Sequence, residues 1–280
     1  MSISTLRIAL VSLVLAFACS FVSAQNSSTR YVASSVIPQK SIEIKLFNNL
    51  YSQTQGGQRN TFYTTLVNFL YGSGKRFNVG FDARIRAVGL GPDSESVFNA
   101  FGGSAQNRGG LTAFGPKIRW AFLPNADNFS MQSSLTFPIG KDLTGGNGDI
   151  FVDWDGPSWN TQFFNDFTLN DDLSLYAEIG FIWEDIGSAD EGRNNQKSIP
   201  ITTILQYFIS ADWTLYALGN YAPFLQDTPD YFFQYGLGTK VRFSQSFEVE
   251  LLLTDFNRKI LNDAGGQAAT YNLGVRYSIF

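Results

Sequence analysis

Between residues 76 and 88 the chain reads RFNVGFDARIRAV, and apolar and polar positions alternate without a break. Phe77, Val79, Phe81, Ala83, Ile85 and Ala87 fall in one register, and Arg76, Asn78, Gly80, Asp82, Arg84 and Arg86 in the other. Period-two alternation predicts a β-strand with one apolar and one polar face. A soluble domain would turn the apolar face onto a core. Here several charges crowd into one strand length, and the pattern recurs down the chain. It is better satisfied if the apolar face meets lipid and the charged face lines the inside of a closed barrel.

About twelve such segments follow one another, at residues 41–51, 61–71, 76–88, 111–122, 129–140, 159–169, 173–184, 198–209, 213–221, 231–243, 247–254 and 269–280. The connections alternate in length. Those near Ser73, Asn125, Asp171, Asp212 and Gln245 are tight, whereas those between them, such as 89–110 and 141–157, are longer and polar. Outer-membrane barrels keep this asymmetry, with short periplasmic turns and longer extracellular loops. The predicted fold class is therefore all-β: a closed antiparallel transmembrane β-barrel of about 12 strands.

The start of the chain fits that destination. Residues 1–24 have the form of a signal peptide, with Arg7 in the n-region, an apolar stretch over 8–17, and Val22-Ser23-Ala24 before a cleavage point at Gln25. Cys19 admits a lipoprotein reading, but Ala16-Phe17-Ala18 lacks the leucine such a site carries and sets a bulky ring beside the cut. Residues 25–40 are polar and mixed, a periplasmic lead-in or a small plug, and 41–280 form the barrel.

Aromatics collect at the short-turn ends on the apolar register: Tyr71, Phe77, Trp120, Phe122, Phe129, Phe167, Trp213, Phe243 and Phe247. This is the girdle expected at the headgroup boundary, the alternative being ordinary core packing. The chain closes on Gly274, Tyr277, Ile279 and Phe280, which resemble the last-strand signal read by the barrel-assembly machinery. Ile279 takes the in-register apolar place there and Phe280 follows one residue later.

With the apolar faces outward, the inner wall receives Asp82, Arg84, Arg86, Lys117, Arg119, Asp166, Glu178, Lys240, Arg242, Glu248, Glu250 and Arg276. The Ser244-Gln245-Ser246 turn sets Arg242 opposite Glu248 and Lys240 opposite Glu250, with Phe243 against Phe247 outside. Asp82 is expected to face Lys117, and Arg276 to join Glu250. Such a mixed-sign cluster either cross-links the wall or forms a constriction that sorts small solutes.

Composition removes other chemistries. There is no histidine, which excludes Ser/His and Asp/His barrel hydrolases and imidazole metal sites. Cys19 is the one cysteine and leaves with the leader, so no thiolate site remains. Loss of Arg7 makes the mature chain one unit more negative than the formal −4, a poor match to nucleic acid. The stretch 148–156 groups three carboxylates and could hold a hard cation, though acidic loops are ordinarily just solvated. No cofactor motif and no enzyme arrangement is predicted.

Phe114-Gly115-Pro116-Lys117-Ile118-Arg119-Trp120, followed by Ser133-Ser134-Leu135-Thr136-Phe137-Pro138-Ile139-Gly140-Lys141, resembles a motif pair of the outer-membrane proteins linked to the meta-pathway of phenol degradation. The resemblance implies a porin-like transporter for passive uptake of small molecules, aromatic or apolar ones included. The charged lumen suits polar solutes at least as well. A non-conducting structural or surface-interaction barrel is the alternative. Expected partners are outer-membrane lipid and lipopolysaccharide, the assembly machinery and a small solute.

Overall fold

The computed structural model describes residues 34–55, 58–89, 107–124, 126, 128–139, 156–187, 195–225, 230–257 and 268–280. Its strands are β1 (Ile42–Gln55), β2 (Gln58–Gly72), β3 (Phe77–Gly89), β4 (Asn107–Trp120), β5 (Phe129–Pro138), β6 (Ser158–Asn170) and β7 (Leu173–Glu184). They continue as β8 (Gln196–Ser198), β9 (Ile201–Phe208), β10 (Trp213–Pro223), β11 (Tyr231–Arg242), β12 (Phe247–Phe256) and β13 (Ala268–Ile279). Sequence neighbours pair antiparallel, except that β8 and β9 both pair with β7, and β13 pairs with β1, which closes the ring. Closure matters physically: an open edge in hydrocarbon would leave backbone N–H and C=O groups unmet, each at a cost of several kcal/mol.

β8 and β9 are two pieces of one stave, so thirteen strands make a barrel of twelve. The sequence predicted an unbroken strand over 198–209. Pro200 interrupts it, since proline has no N–H to give the ladder. The flanking groups find other partners: Gly180 N–H donates to the Pro200 carbonyl at 2.8 Å, and Ile199 N–H to that of Pro223 at 3.1 Å. A second difference lies in β4, which starts at Asn107 inside the predicted loop and stops at Trp120. Phe122 therefore sits beyond the strand.

Register follows the alternation. Phe77, Val79 and Ile85 are exposed on the outer face, while Asn78 and Arg84 between them are buried. β12 repeats the rule, with Leu251 and Leu253 outward at 54% and 59% exposure and Leu252 inward at 5%. Contiguous exposed apolar surface of this extent has no place in water, and it fits acyl chains.

The interior is not uniformly polar. At the end of the long connections, Tyr51, Phe62 and Val88 are buried on the inner face, with Phe256 and Ala268 packed against them. The Tyr51 ring lies 5.9 Å from that of Phe62 and 5.3 Å from that of Phe256, which in turn is 5.7 Å from Phe232. The lumen thus carries an aromatic layer at one end and, as follows, a charged layer at the other.

Candidate functional site

The charged layer is built by the β11–β12 hairpin and the last strand. The turn places Lys240 opposite Glu250 and Arg242 opposite Glu248. On the outer face the rings of Phe243 and Phe247 stand 5.8 Å apart. Arg276 acts on Glu250 only through its field, because the β12–β13 register sets Gly274 opposite Glu250 and aligns Arg276 with Glu248. Arg276 Nη2 lies 2.6 Å from Glu248 Oε2, and both side chains are nearly enclosed. Glu250 instead accepts from the Tyr216 hydroxyl at 2.5 Å and has Lys45 Nζ at 3.7 Å. Lys240 Nζ sits over the Tyr216 ring, 5.0 Å from its centre, and Arg242 donates to the Ala211 carbonyl at 3.0 Å.

Two of these groups, Lys45 and Tyr216, were not among the predicted inner residues. Lys45 shares a register with Glu43 on the first strand, so alternation was signal enough. Tyr216 lay on the inner register by the same alternation, three residues from the outward Trp213, but a tyrosine looks, by type, like one at the membrane boundary.

The opposite wall is formed by β3 to β7. Lys117 and Asp82 form an ion pair, and Asn68 Nδ2 donates to the same Asp82 oxygen at 3.1 Å. Arg84 is buried, with Nε donating to Thr112 Oγ1 at 3.1 Å, and Arg86 takes the inner register opposite Thr64. Arg119 bonds Gln132 Oε1 from Nε and Nη2 at 3.2 and 2.9 Å. From Gln132 the chain of bonds runs to Gln162 at 3.2 Å and on to Glu178 at 2.7 Å, where the Tyr176 hydroxyl also donates at 2.5 Å. The Arg119 guanidinium lies 5.3 Å from the centre of the Phe164 ring. Lys117 and Asp82 thus pair charge with charge, while Arg84, Arg119 and Glu178 are bonded to neutral side chains of the wall.

Inside this wall, at the short-turn end, lie residues 34–40. Ser34 is fully buried, and its N–H and hydroxyl both donate to Asp166 Oδ2, at 2.9 and 2.6 Å. The Ser130 hydroxyl donates to the Ser34 carbonyl. Asn78 bonds both backbone groups of Ile37, at 2.9 and 3.0 Å, and Arg119 Nη1 donates to the Ser35 carbonyl at 3.2 Å. Four strands thereby hold one strap of chain, mostly through its backbone, with the Ser34 hydroxyl as a side-chain anchor.

The boundary residues separate by face as the register requires. Tyr71, Phe77, Trp120, Trp213, Phe243 and Phe247 are exposed on the outer surface, while Phe129 and Phe167 are half-buried there. Phe122 packs 5.6 Å from Trp120 and 5.2 Å from Phe129. A second group stands at the other rim: Trp159 is 5.7 Å from Phe181, and Tyr221 is 5.6 Å from Tyr231. Those rings sit at the far ends of the same strands, so the alternation that found one rim also held the other. In β13, Tyr277 and Ile279 point outward, Gly274 faces inward, and Phe280 follows the strand at 71% exposure. The leader, Cys19 and the carboxylates of 148–156 lie outside the described residues.

The sequence matches no protein-family model and none of the curated proteins. Likeness appears in three dimensions. The COG4313 outer membrane channel from Pseudomonas putida F1 superposes with a TM-score of 0.59 at 10% identity, covering 89% of this chain and 99% of that one. The NanC porin gives 0.54 at 9% identity, covering 84% and 98%. At such identities the likeness establishes the fold, which is that of an outer-membrane barrel.

Proposed function

We propose that the chain is an outer-membrane channel for passive passage of small solutes, aromatic and apolar ones included. The observation that carries this reading is Leu66. It lies on the inner face, opposite Phe47 on β1 and Arg84 on β3, yet it is 45% exposed. A leucine facing into a packed barrel would be covered, so open space runs along β1 and β2 at mid-wall. The strap at 34–40 narrows the short-turn end, where Glu43 and Leu70 on the inner face of β1 and β2 are buried as well. Phe47 and Leu66 give an apolar surface at mid-wall, between the buried Tyr51 and Phe62 on one side and the buried Glu43 and Leu70 on the other, on which a ring is not penalised for shedding water. The resemblance of Phe114 to Lys141 to the phenol meta-pathway proteins points the same way, and the outer-membrane channel fold supports it.

The reading is tested in planar bilayers and by liposome swelling with the purified full-length barrel. Discrete conductance steps, together with faster swelling in phenylalanine than in a sugar of similar size and no such swelling in protein-free liposomes, are expected. A silent barrel that admits neither would leave a structural or surface-interaction role.

A further inference from the structure

We propose that Lys45, Phe47 and Leu66 form a binding station inside the lumen for small aromatic carboxylates. The inference rests on the channel reading in one respect, since the ligand reaches the station through the lumen.

Three observations meet here. First, among the ion-paired cations the exposures differ sharply. The Lys45 side chain is 40% exposed, against 3% for Lys117 and 9% for Arg276. Its Nζ is 3.7 Å from Glu250 Oε2, beyond hydrogen-bond reach, so the ammonium keeps donors for a second acceptor. Glu250 meanwhile is engaged by Tyr216 at 2.5 Å, which lessens its hold on Lys45. Second, the surface beside that ammonium is apolar: Nζ lies 5.8 Å from the centre of the Phe47 ring. Third, Leu66 stands directly opposite Phe47 across the β1–β2 ladder and is open to the lumen. Gly274 borders Phe47 on the other side, and its missing side chain keeps the ring accessible: a Cβ there would come 3.4 Å from Phe47 Cδ2.

A cation with an apolar shelf one residue pair away selects an anion that carries a ring. A bare carboxylate would use Lys45 alone and remain in competition with Glu250. A neutral ring would use Phe47 and Leu66 alone. A benzoate-like molecule uses both, and the charge-assisted hydrogen bond fixes which end points down the barrel.

The test is calorimetric titration of the full-length barrel in detergent with benzoate, benzyl alcohol and acetate, paired with bilayer recordings of the same preparation. Benzoate is expected to bind with a Kd of about 1 mM, as befits so small a ligand. Acetate and benzyl alcohol should each be weaker by about tenfold, the loss of one of the two contacts. Lys45→Gln should weaken benzoate about tenfold and Lys45→Arg should restore it, while Leu66→Asn should bring benzoate down to the level of acetate. Unchanged benzoate binding in Lys45→Gln, or acetate binding as well as benzoate, overturns the station. Conductance without benzoate binding overturns it too and leaves the channel reading standing. Benzoate binding in a barrel that does not conduct sinks the channel reading and retains the station.

Discussion

Tyr216 lies flat across Gly238: a Cβ placed on Gly238 would fall 2.4 Å from Tyr216 Cζ and 2.7 Å from the Leu251 carbonyl oxygen. The glycine is there for close approach, because the tyrosine must cross it to reach Glu250 on the next strand. Gly238→Ala would meet backbone as well as ring, so a rotamer change cannot absorb it. A loss of about 1–3 kcal/mol is expected, read as a lower urea midpoint for unfolding of the barrel. A midpoint equal to wild type would mean that Tyr216 has room to move aside.

Glu248 and Arg276 form the most enclosed pair of the hairpin wall, at 2.6 Å. Exposed ion pairs contribute little, but removing one member of an enclosed pair leaves the other uncompensated. Glu248→Ala should cost about 3 kcal/mol. The reversed pair, Glu248→Arg with Arg276→Glu, should recover most of that in the same unfolding assay. If single and reversed variants are equally stable, the lumen wets both groups and the pair is incidental.

How far these contacts were legible in the sequence depends on whether they follow from one strand or need two. Lys240, Glu250, Arg242 and Glu248 share a tight hairpin, so counting outward from Ser244-Gln245-Ser246 fixed their register. Arg276 needed the offset between β12 and β13, whose connection is long, and no turn sets it; the partner inferred was one rung away from the real one. The aromatic layer of Tyr51, Phe62 and Phe256 was invisible for a different reason. Alternation says which residues share a face, but a ring at a strand end suits either face, and only closure of the sheet brings β1, β2 and β12 together. Phe114-Gly115-Pro116 shows a third limit. The β4–β5 register passes from Phe114↔Phe137 to Lys117↔Ser134, and a Cβ on Gly115 would come 1.8 Å from the Leu135 carbonyl oxygen. The motif marks a close approach of two backbones that its letters alone do not spell.

Asn78 holds the strap by both backbone groups of Ile37, in the manner of a neighbouring strand. Asn78→Ala removes both bonds, worth together about 1–3 kcal/mol, and should loosen the strap around Ile37, which Ser34 and Lys40 still anchor at either end. A cysteine introduced by Val36→Cys would then react with a water-soluble maleimide about tenfold faster or more, and single-channel conductance should rise in step. Faster labelling with unchanged conductance would show that the strap lines the path without limiting it.

The direction in which each face points has the sharpest consequence. Leu251 is 54% exposed on the outside, whereas Thr64, between Asn49 and Arg86 on its neighbours, faces the lumen and is only partly covered. Arginine at an outer mid-wall position must drag a guanidinium into hydrocarbon, whereas an inner one stays on the polar face of the wall, beside Asn49 and Arg86. In lipid vesicles Leu251→Arg should therefore cost about 2–4 kcal/mol and Thr64→Arg about 1 kcal/mol or less. In denaturant titrations the two variants separate cleanly, since both add the same charge to a strand of the same barrel. The opposite order, with Thr64→Arg the damaging change, would mean that the greasy side faces protein and the charged side bulk water. In that case β2 and β12 would belong to a soluble sheet and no membrane pore could pass between them.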